Sequence, residues 1–343
     1  MKKLDLLVTG GAGYIGSHMV HMLVRAGHAV TVLDNLSRGH ANAVANGATL
    51  ARLDVEDRGA VRALCEANRF DAVLHFAALA YVGESVTDPA AYYRVNVGGT
   101  LSLLDAMRAA GTSRLVFSST CATYGIPAQL PVDEAAPQDP VNPYGQSKRM
   151  VEQVLRDHAR AYGIHSVSLR YFNAAGCDPS GLLGERHDPE THLVPLVLAE
   201  ALRVMRGGDP ADTKMQVFGT DFPTVDGSCV RDYVHVTDLC TAHLLALQQL
   251  MSGACRGASA FNLGNGAGFS VLQVIDTCRR VSGADIRYRR CGRRVGDPAE
   301  LVADARRAAE VLGWQPEFPS LERIVQTAWD WMRRQPVPAG AGL

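Results

Sequence analysis

The sequence lacks two features that define large classes of protein. No apolar run approaches the ~18 to 20 residues that a membrane-spanning helix needs. Neither sign of charge dominates, because 34 Lys and Arg residues face 35 Asp and Glu residues, for a net charge of -1. Nucleic-acid binding relies on an excess of basic residues against the phosphates. We therefore expect neither a membrane protein nor a nucleic-acid-binding protein.

Paired cysteines are also lacking. The eight cysteines are scattered along the chain without a C-x-x-C pair, and neither they nor the eleven histidines follow a metal-ligand spacing. The sequence therefore predicts no disulfide framework and no metal site. The start, Met1 to Thr9, has no small-residue cleavage site and reads as a first strand. Together these features predict a cytoplasmic protein.

Glycine, by contrast, is abundant, with 33 of 343 residues, or about 10%, against a usual ~7%. The glycines follow no fixed period, which excludes a collagen-like chain. Their meaning depends on whether they lie where a fold needs bare backbone.

Short β-branched runs alternate with helical patterns through the first half of the chain, which predicts an α/β fold with a parallel sheet covered on both faces. The predicted strands are Leu4–Thr9, Ala29–Leu33, Thr49–Leu53, Ala72–His75, Arg114–Phe117 and Ser166–Leu169, and the predicted helices are Tyr14–Ala26, Glu56–Asn68, Ala91–Ala109 and Pro143–Tyr162.

The pattern changes after Asn173, where a stretch rich in Gly, Pro and Asp begins. We predict a boundary near residue 175, with a sheet domain over 1–175 and a smaller mixed α/β C-terminal domain over 176–335. Residues 336–343 are predicted to be a disordered tail. The second domain is predicted to contain a strand at Ala260–Leu263 and helices at Val194–Met205, Val236–Leu250, Val271–Val281 and Leu321–Arg333.

A glycine-rich turn joins the first strand to the first helix, with Gly10, Gly11, Gly13 and Gly16 within seven residues. Such glycines permit a tight turn and the close approach of a pyrophosphate, which the helix N-terminus then binds. The context predicts a Rossmann-type, doubly wound, dinucleotide-binding domain.

The acidic residue Asp34 ends the second strand, 18 residues beyond Gly16. An acid at this point bonds the adenosine ribose and repels a 2′-phosphate, which favours NAD over NADP. Arg38 is the counter-argument, since an arginine nearby can accept that phosphate. Asp54, after the third strand, has two interpretations, as a ligand of the adenine amino group or as a helix N-cap.

The sequence contains a single Y-x-x-x-K motif, Tyr144 to Lys148. On a helix the two side chains share one face. We expect the Lys148 ammonium, aided by a positive nicotinamide ring, to lower the pKa of the Tyr144 phenol so that it can act as a general base.

With these motifs in place, residues 4 to 333 resemble the extended short-chain dehydrogenase/reductase family, and most closely its branch of sugar-nucleotide 4-epimerases. The segments that carry the resemblance are Thr9 to Gly16, Val82 to Ser85, Ser118 to Gly125, Asn142 to Lys148, Arg170 to Asn173, Val230 to Val236 and Asn262 to Gly264.

The resemblance implies the inversion of C4 of a UDP-sugar, with NAD tightly bound and regenerated in each cycle. Tyr144 would be the base, Lys148 would tune it and bond the nicotinamide ribose, and Thr120 would relay the proton. Dehydratase relatives carry two carboxylates after this threonine. The chain has Cys121 and Ala122 instead, which argues against dehydration.

The resemblance also assigns the remaining site residues. The implied cofactor-binding residues are Gly10, Gly13, Tyr14, Ile15, Gly16, Asp34, Asn35, Asp54, Val55, Phe76, Ala77, Ala78, Asn96, Ser118, Tyr144, Lys148 and Tyr171. The implied substrate-binding residues are Thr120, Tyr144, Phe172, Asn173, His192, Leu193, Arg231, Arg294, Asp297 and Leu301.

Two positions depart from the family pattern. Ala80 stands where some relatives have a lysine, which puts one NAD contact in doubt. Leu301 stands where the family has either a bulky tyrosine or a small residue, so a pocket for a 2-acetamido sugar is a hypothesis.

Two alternative functions stay open at this point: a UDP-xylose/UDP-arabinose 4-epimerase, and a dinucleotide-sensing protein without catalysis. Loss of the Tyr–Lys pair would favour the second, and here the pair is intact. The resemblance further implies a homodimer formed through the helices predicted at Ala91–Ala109 and Pro143–Tyr162.

Overall fold

The computed structural model describes residues 2–294 and 296–335. The tail predicted to be disordered, residues 336–343, lies outside the described residues. Elements are numbered below in chain order. None of the helices within the described residues combines the length and the apolar character that crossing a bilayer requires.

The core of the molecule is a parallel sheet of seven strands, in the order β3-β2-β1-β4-β5-β6-β10. Val and Leu recur along these strands, and β4 is buried along its whole length, as expected for a sheet covered on both faces. This arrangement confirms the predicted Rossmann-type α/β fold. Its strands are β1 (Asp5–Thr9), β2 (Ala29–Leu33), β3 (Thr49–Ala51), β4 (Ala72–His75), β5 (Arg114–Thr120), β6 (His165–Tyr171) and β10 (Ala258–Leu263).

Helices cover both faces of this sheet with apolar stripes. On one face, α1 buries Met19 and Leu23 while α8 buries Leu239 and Leu247. The other face is covered by α2, α5 and α6. The helices of this part of the chain are α1 (Tyr14–Arg25), α2 (Arg58–Asn68), α3 (Val82–Thr87), α4 (Pro89–Tyr92), α5 (Thr100–Ala110), α6 (Pro143–Tyr162) and α8 (Val236–Ser252).

The helix predicted at Ala91–Ala109 is not continuous. The structure has α4, then a π-helical segment at Tyr93–Gly99, and then α5. π-Helical turns are rare and occur preferentially at functional sites. This one carries Asn96, whose side chain bonds the backbone of Leu79.

One part of the second half returns to the central sheet, which corrects the predicted placement of the strand near Ala260. β10 pairs with β6 along its full length, from Ala258 opposite Ser166 to Leu263 opposite Tyr171. The pairing satisfies an edge that β6 would otherwise leave open, and α8 packs over the same region. The predicted boundary near residue 175 therefore does not divide the chain between two separate sheets. That this boundary separates two domains stays a prediction.

The remaining elements form a smaller mixed α/β region beside the carboxyl ends of the sheet strands. Three helices, α7 (Leu193–Met205), α9 (Val271–Ser282) and α10 (Leu321–Met332), pack on one another around Trp329 and Trp331. The strands of this region are β7 (Asn173–Ala175), β8 (Gln216–Phe218), β9 (Val230–His235), β11 (Gly268–Ser270), β12 (Arg289–Cys291) and β13 (Glu300–Leu301). β9 pairs with β7, β11 and β13, and β12 pairs with β8.

The turn after β10 is organised by the buried carboxylate of Asp232. It accepts backbone N–H bonds from Asn265 at 2.8 Å, Gly266 at 3.1 Å and Ala303 at 3.2 Å. A Cβ at Gly264 would lie 2.4 Å from this carboxylate, so the turn needs glycine there. Burial raises the pKa of Asp232 to about 6. The bonds hold β9 and the 301–303 segment together.

A buried ion pair links the elements beneath the carboxyl end of β5. The Arg170 guanidinium lies 2.6 Å from the Glu152 carboxylate, and both side chains are at most 5% exposed. Glu152 also accepts from the Ser119 hydroxyl at 2.6 Å. Arg170 donates to the Tyr124 hydroxyl, which donates to Asn262 of β10. One hydrogen-bonded network thus joins α6, β5, β6 and β10.

Replacing Glu152 by alanine is expected to lower the free energy of unfolding by about 3–5 kcal/mol, because the Arg170 charge would stay buried without its partner. Urea unfolding measures the change. Glu66→Ala, which removes an exposed i,i+4 partner of Arg62, serves as the control and should cost less than about 0.5 kcal/mol. Equal losses for the two variants would contradict the assignment.

Candidate active site

The turn between β1 and α1 brings bare backbone segments into contact. Gly10 has a φ of +69°, and a Cβ there would lie 2.5 Å from the Ala77 nitrogen. A Cβ at Gly16 would lie 2.1 Å from the Gly10 carbonyl oxygen. At Gly13, by contrast, the only neighbour within 4 Å would be that same oxygen, at 3.4 Å. The glycines therefore serve close packing at two positions and leave open space at the third.

This open space lies at the N-terminus of α1, which is suited to an anion. Gly13 is the N-cap and supplies no side chain to the first turn. The backbone N–H groups of Tyr14, Ile15 and Gly16 have no partner within the helix, and the helix dipole adds positive potential. The Tyr14 hydroxyl points elsewhere and donates to the Gly176 carbonyl at 2.5 Å. The turn fits the pyrophosphate of a dinucleotide.

Asp34 lies beside this turn, at the end of β2. Its buried carboxylate accepts backbone N–H bonds from Ala12 at 3.0 Å and from Leu36 at 2.8 Å. Arg38 is held away by an ion pair of 2.6 Å with Glu84 and a bond of 3.0 Å to the Asp188 carbonyl. Because Arg38 is occupied by these contacts, it is held away from a 2′-phosphate. The Asp34 carboxylate therefore determines which adenosine ribose fits, and it favours NAD over NADP.

Asp54 and Asn35 bond each other at the end of the next strand. The Asn35 side-chain amide donates to the Asp54 carboxylate at 2.8 Å. The alternative role of Asp54 as a helix N-cap is wrong, because Asp57 caps α2 by accepting from the Ala60 N–H at 3.0 Å. Val55 is buried against Gly99, where a Cβ would lie 2.6 Å from its methyl group. The adenine-binding role of Asp54 stays a prediction.

The loop after β4, with Phe76, Ala77 and Ala78, is fixed to the glycine turn. The N–H groups of Phe76 and Ala77 donate to the Thr9 carbonyl at 2.9 and 3.1 Å. Asn96 secures the next residue, because its side chain accepts from the Leu79 N–H at 2.8 Å and donates to the Leu79 carbonyl at 3.0 Å. The Asn96 side chain therefore positions the loop.

The predicted base lies at the start of α6. Asn142 caps this helix by accepting from the Gly145 N–H at 2.8 Å. A Cβ at Gly145 would lie 2.4 Å from the Ala122 carbonyl oxygen, so glycine lets α6 approach the turn that follows β5. This approach brings Tyr144 within hydrogen-bonding reach of Thr120. The sequence motif did not single out Gly145, although it lies between Tyr144 and Lys148.

The proton affinities of the pair differ from the sequence prediction. Burial raises the pKa of Tyr144 to about 12, while the hydrogen bond with Thr120 acts in the opposite direction. Lys148 does not lower it, because its Nζ donates to the Ser118 carbonyl at 2.8 Å and lies 4.8 Å from the centre of the Phe117 ring. Burial lowers the pKa of Lys148 to about 7, opposed by the charge of Glu152. The expected direct activation of Tyr144 is thus wrong for the protein without its cofactor.

Ser118 and Tyr171 form a hydrogen-bonded pair of hydroxyls on the adjacent strands β5 and β6. Burial raises the pKa of Tyr171, so this phenol is neutral. This pair is linked to Lys148, because the Lys148 Nζ donates a hydrogen bond to the Ser118 carbonyl. The cofactor contacts implied for both residues stay predictions.

Several predicted substrate residues meet on the other side of Thr120. Phe172 and Leu301 are buried in one cluster with Cys121. Asn173, His192 and Leu193 line a cavity of about 40 Å³. The two groups are joined through Phe172 and Asn173, which are consecutive residues.

The charged residues implied for the nucleotide make separate contacts. Arg231 is paired with Asp297, which lies in the same predicted set. The Arg294 guanidinium lies 4.0 Å from the centre of the Phe218 ring, and the residue is exposed. The structure therefore joins two of the three residues and leaves Arg294 at the surface.

The sequence prediction missed a cluster of four residues before α7: Glu185, His187, Glu190 and His192. One nitrogen or oxygen from each lies within 4.8 Å of the others. The expectation that no histidines share a metal-like arrangement is therefore wrong. The available signal was the spacing E-x-H-x-x-E-x-H, in a stretch predicted only to be irregular.

Comparison with known proteins identifies the family. The profile of the NAD dependent epimerase/dehydratase family matches residues 6–264, so the chain belongs to this family. The match confirms the predicted resemblance, the enzyme class and NAD as the cofactor.

Individual relatives agree over almost the whole chain. A UDP-glucose 4-epimerase of Halalkalibacterium halodurans is 47% identical to it, over 97% of both chains. The crystal structure of UDP-glucose 4-epimerase from Brucella ovis, in complex with NAD, is 46% identical with a TM-score of 0.89, over 95% of this chain and 98% of that one. The enzyme from Bifidobacterium longum, in complex with NAD+ and UDP, is 36% identical with a TM-score of 0.89, over 97% and 99%.

Proposed function

We propose that this protein interconverts UDP-glucose and UDP-galactose by NAD-dependent inversion at C4. The observation that carries the proposal is the position of the Tyr144 phenol beside Thr120, at the carboxyl end of β5, in a sheet whose first turn fits a dinucleotide. Ligands bind at this end of the strands in open α/β sheets. The names of the relatives agree with this assignment.

The glycine turn, Asp34 and Lys148 would hold the cofactor. NAD bound there would supply reversible hydride transfer at C4 of the sugar and, when oxidised, a positively charged ring near Tyr144. That charge matters because burial alone keeps the phenol protonated, with a pKa of about 12. With a pKa of about 7, Lys148 is partly protonated at neutral pH, and its Nζ donates to the Ser118 carbonyl rather than to the phenol.

Tyr144 then takes the proton from the sugar 4-hydroxyl, and Thr120 bridges the two oxygens. Arg231 and Arg294 would hold the diphosphate while the 4-keto sugar turns, after which Tyr144 returns the proton. No carboxylate follows Thr120 to eliminate water. Burial raises the pKa of the Cys121 thiol to about 12, so it does not replace one. The chain's own groups therefore support epimerisation rather than dehydration.

Tyr144→Phe is expected to lower the conversion of UDP-galactose to UDP-glucose by ~10²–10⁴-fold, because the ring stays and only the proton-transferring hydroxyl is lost. A coupled assay for UDP-glucose measures the rate, and NAD released on denaturation measures cofactor retention, which should be unchanged.

Tyr162→Phe, at the exposed end of the same helix, is the matched control and should keep full activity. A fully active Tyr144→Phe protein would overturn the assignment of the base. Absence of turnover by the unmodified, NAD-loaded protein would favour the dinucleotide-sensing alternative.

Leu301 supports a wider substrate range. Its side chain is buried beside Cys121 and Phe172, next to Thr120, which is the expected place for the wall of the sugar pocket. Leucine is smaller than tyrosine and leaves room for a 2-acetamido group. We infer activity on UDP-N-acetylglucosamine in addition to UDP-glucose.

Leu301→Tyr is expected to reduce kcat/KM for UDP-N-acetylglucosamine by at least about tenfold relative to UDP-glucose, because added volume excludes the larger substrate first. Leu301→Met conserves volume and is the control. The assay series should include UDP-xylose, since preference for that sugar would favour the UDP-pentose alternative. No turnover of the acetamido sugar by the unmodified protein would contradict the proposal.

We further propose a homodimer in the cytoplasm. The helices implied for the interface leave Met150 and Tyr162 of α6 exposed, at 40% and 53%. These side chains support an apolar contact between copies. Sedimentation of the purified protein tests it, because a species of twice the 36.8 kDa chain mass is expected and a monomer would contradict it.

A further inference from the structure

Between β7 and α7, two histidines and two glutamates face one another. We call Glu185, His187, Glu190 and His192 the His–Glu cluster. The His187 Nδ1 lies 3.2 Å from a Glu185 carboxylate oxygen and 3.5 Å from a Glu190 oxygen. The His192 Nδ1 lies 2.5 and 3.6 Å from oxygens of the same two residues. In both histidines, Nδ1 is the ring nitrogen that faces the two carboxylates.

Most of these distances are close to the separation between two ligand atoms in a tetrahedral metal site. Zinc lies about 2.0–2.1 Å from histidine nitrogen and about 2.0–2.2 Å from carboxylate oxygen. Ligand atoms at the corners of such a tetrahedron are about 3.3 Å apart. The His187 Nδ1 lies 3.2 Å from Glu185 Oε1 and 3.5 Å from Glu190 Oε2, both near this value, whereas the 3.6 Å from the His192 Nδ1 ends on the other Glu190 oxygen, Oε1. To bind one ion, the His192–Glu185 pair must open by less than about 1 Å, and a single Glu190 oxygen must approach both histidine nitrogens.

The burial of the cluster calls for a counter-charge. The Glu185 side chain is 5% exposed and that of Glu190 is 20% exposed. The His187 Nδ1 is buried and has no hydrogen-bond partner among the described residues, although it faces both carboxylates. A buried carboxylate is costly unless it is paired or coordinates a metal. A divalent cation would take over from the protonated imidazoles in balancing the two glutamates, and it would give the His187 nitrogen a partner.

We propose that Glu185, His187, Glu190 and His192 bind one Zn²⁺ ion. Two imidazole nitrogens and two carboxylate oxygens form a mixed donor set that suits zinc. The protein supplies all four ligands, which is the pattern of a structural site without an open position for substrate. Binding requires neutral histidines and unprotonated glutamates, so it releases any protons that the free cluster holds.

The zinc ion would fix the 185–192 segment between the two sides of the active site. The rings of Tyr14 and Tyr81 pack edge-on against His187, at 6.0 and 5.9 Å between centres. His192 directly precedes α7, and both His192 and Leu193, the first residue of α7, line the substrate-side cavity. A closed site here would hold the start of α7 in place relative to the glycine turn.

Metal content and zinc titration of tag-free protein test the proposal without reference to activity. After treatment with a chelator and titration with Zn²⁺, elemental analysis should find about one zinc ion per chain. The thermal midpoint should rise with zinc concentration, because the ion binds the folded state.

Glu190→Gln should weaken zinc binding by at least about 100-fold, because losing a direct ligand costs more than losing an outer-shell partner. Glu66→Gln and His158→Gln, outside the cluster, are the controls and should bind zinc like the unmodified protein. If the unmodified protein binds no more zinc than Glu190→Gln does, or its thermal midpoint ignores zinc, the residues form an ion-pair cluster only and the proposal fails.

Discussion

Two close contacts between backbone segments, each possible only because a glycine has no side chain, set the positions of the main parts of the predicted active site. At Gly10 a Cβ would meet the Ala77 backbone, and at Gly145 it would meet the Ala122 carbonyl oxygen. The first contact shapes the turn that fits a pyrophosphate, and the second brings Tyr144 to Thr120. A single added carbon atom at either glycine would push the contacting backbone segments apart. The turn for the cofactor and the predicted proton-transferring pair therefore both depend on residues without side chains.

Burial then sets the proton chemistry that this geometry can perform. It makes the Tyr144 phenol a weaker acid and the Lys148 ammonium a stronger one, so at neutral pH the phenol stays protonated and only part of the Lys148 population carries its charge. An oxidised nicotinamide ring bound beside these groups would add the positive charge that favours ionisation of the phenol. The same burial keeps Cys121 a neutral thiol, which leaves the Tyr144 phenol and the Thr120 hydroxyl as the proposed proton-transferring groups.

Local patterns predicted much of this protein, and distant contacts account for the errors. The glycine turn, Asp34 and the Tyr144–Lys148 pair are each defined by a few neighbouring residues, so spacing alone singled them out, and their roles stay predictions. The place of β10 was mispredicted because pairing between Leu263 and Tyr171 cannot be read from either segment. The effect of Lys148 was mispredicted because depth of burial depends on the whole fold. The His–Glu cluster was missed because its residues meet only in an irregular segment.

The return of the chain to the central sheet has a consequence for how the protein matures. β6 gains its outer neighbour only from β10, and α8 supplies much of the apolar cover on that face. On the ribosome, the dinucleotide-binding half stays incomplete until residue 263 has emerged from the exit tunnel. By then the segment from β7 to β9 has also been synthesised. The central sheet is therefore completed late, after most of the chain has been made, and Leu301 of the predicted sugar pocket follows later still.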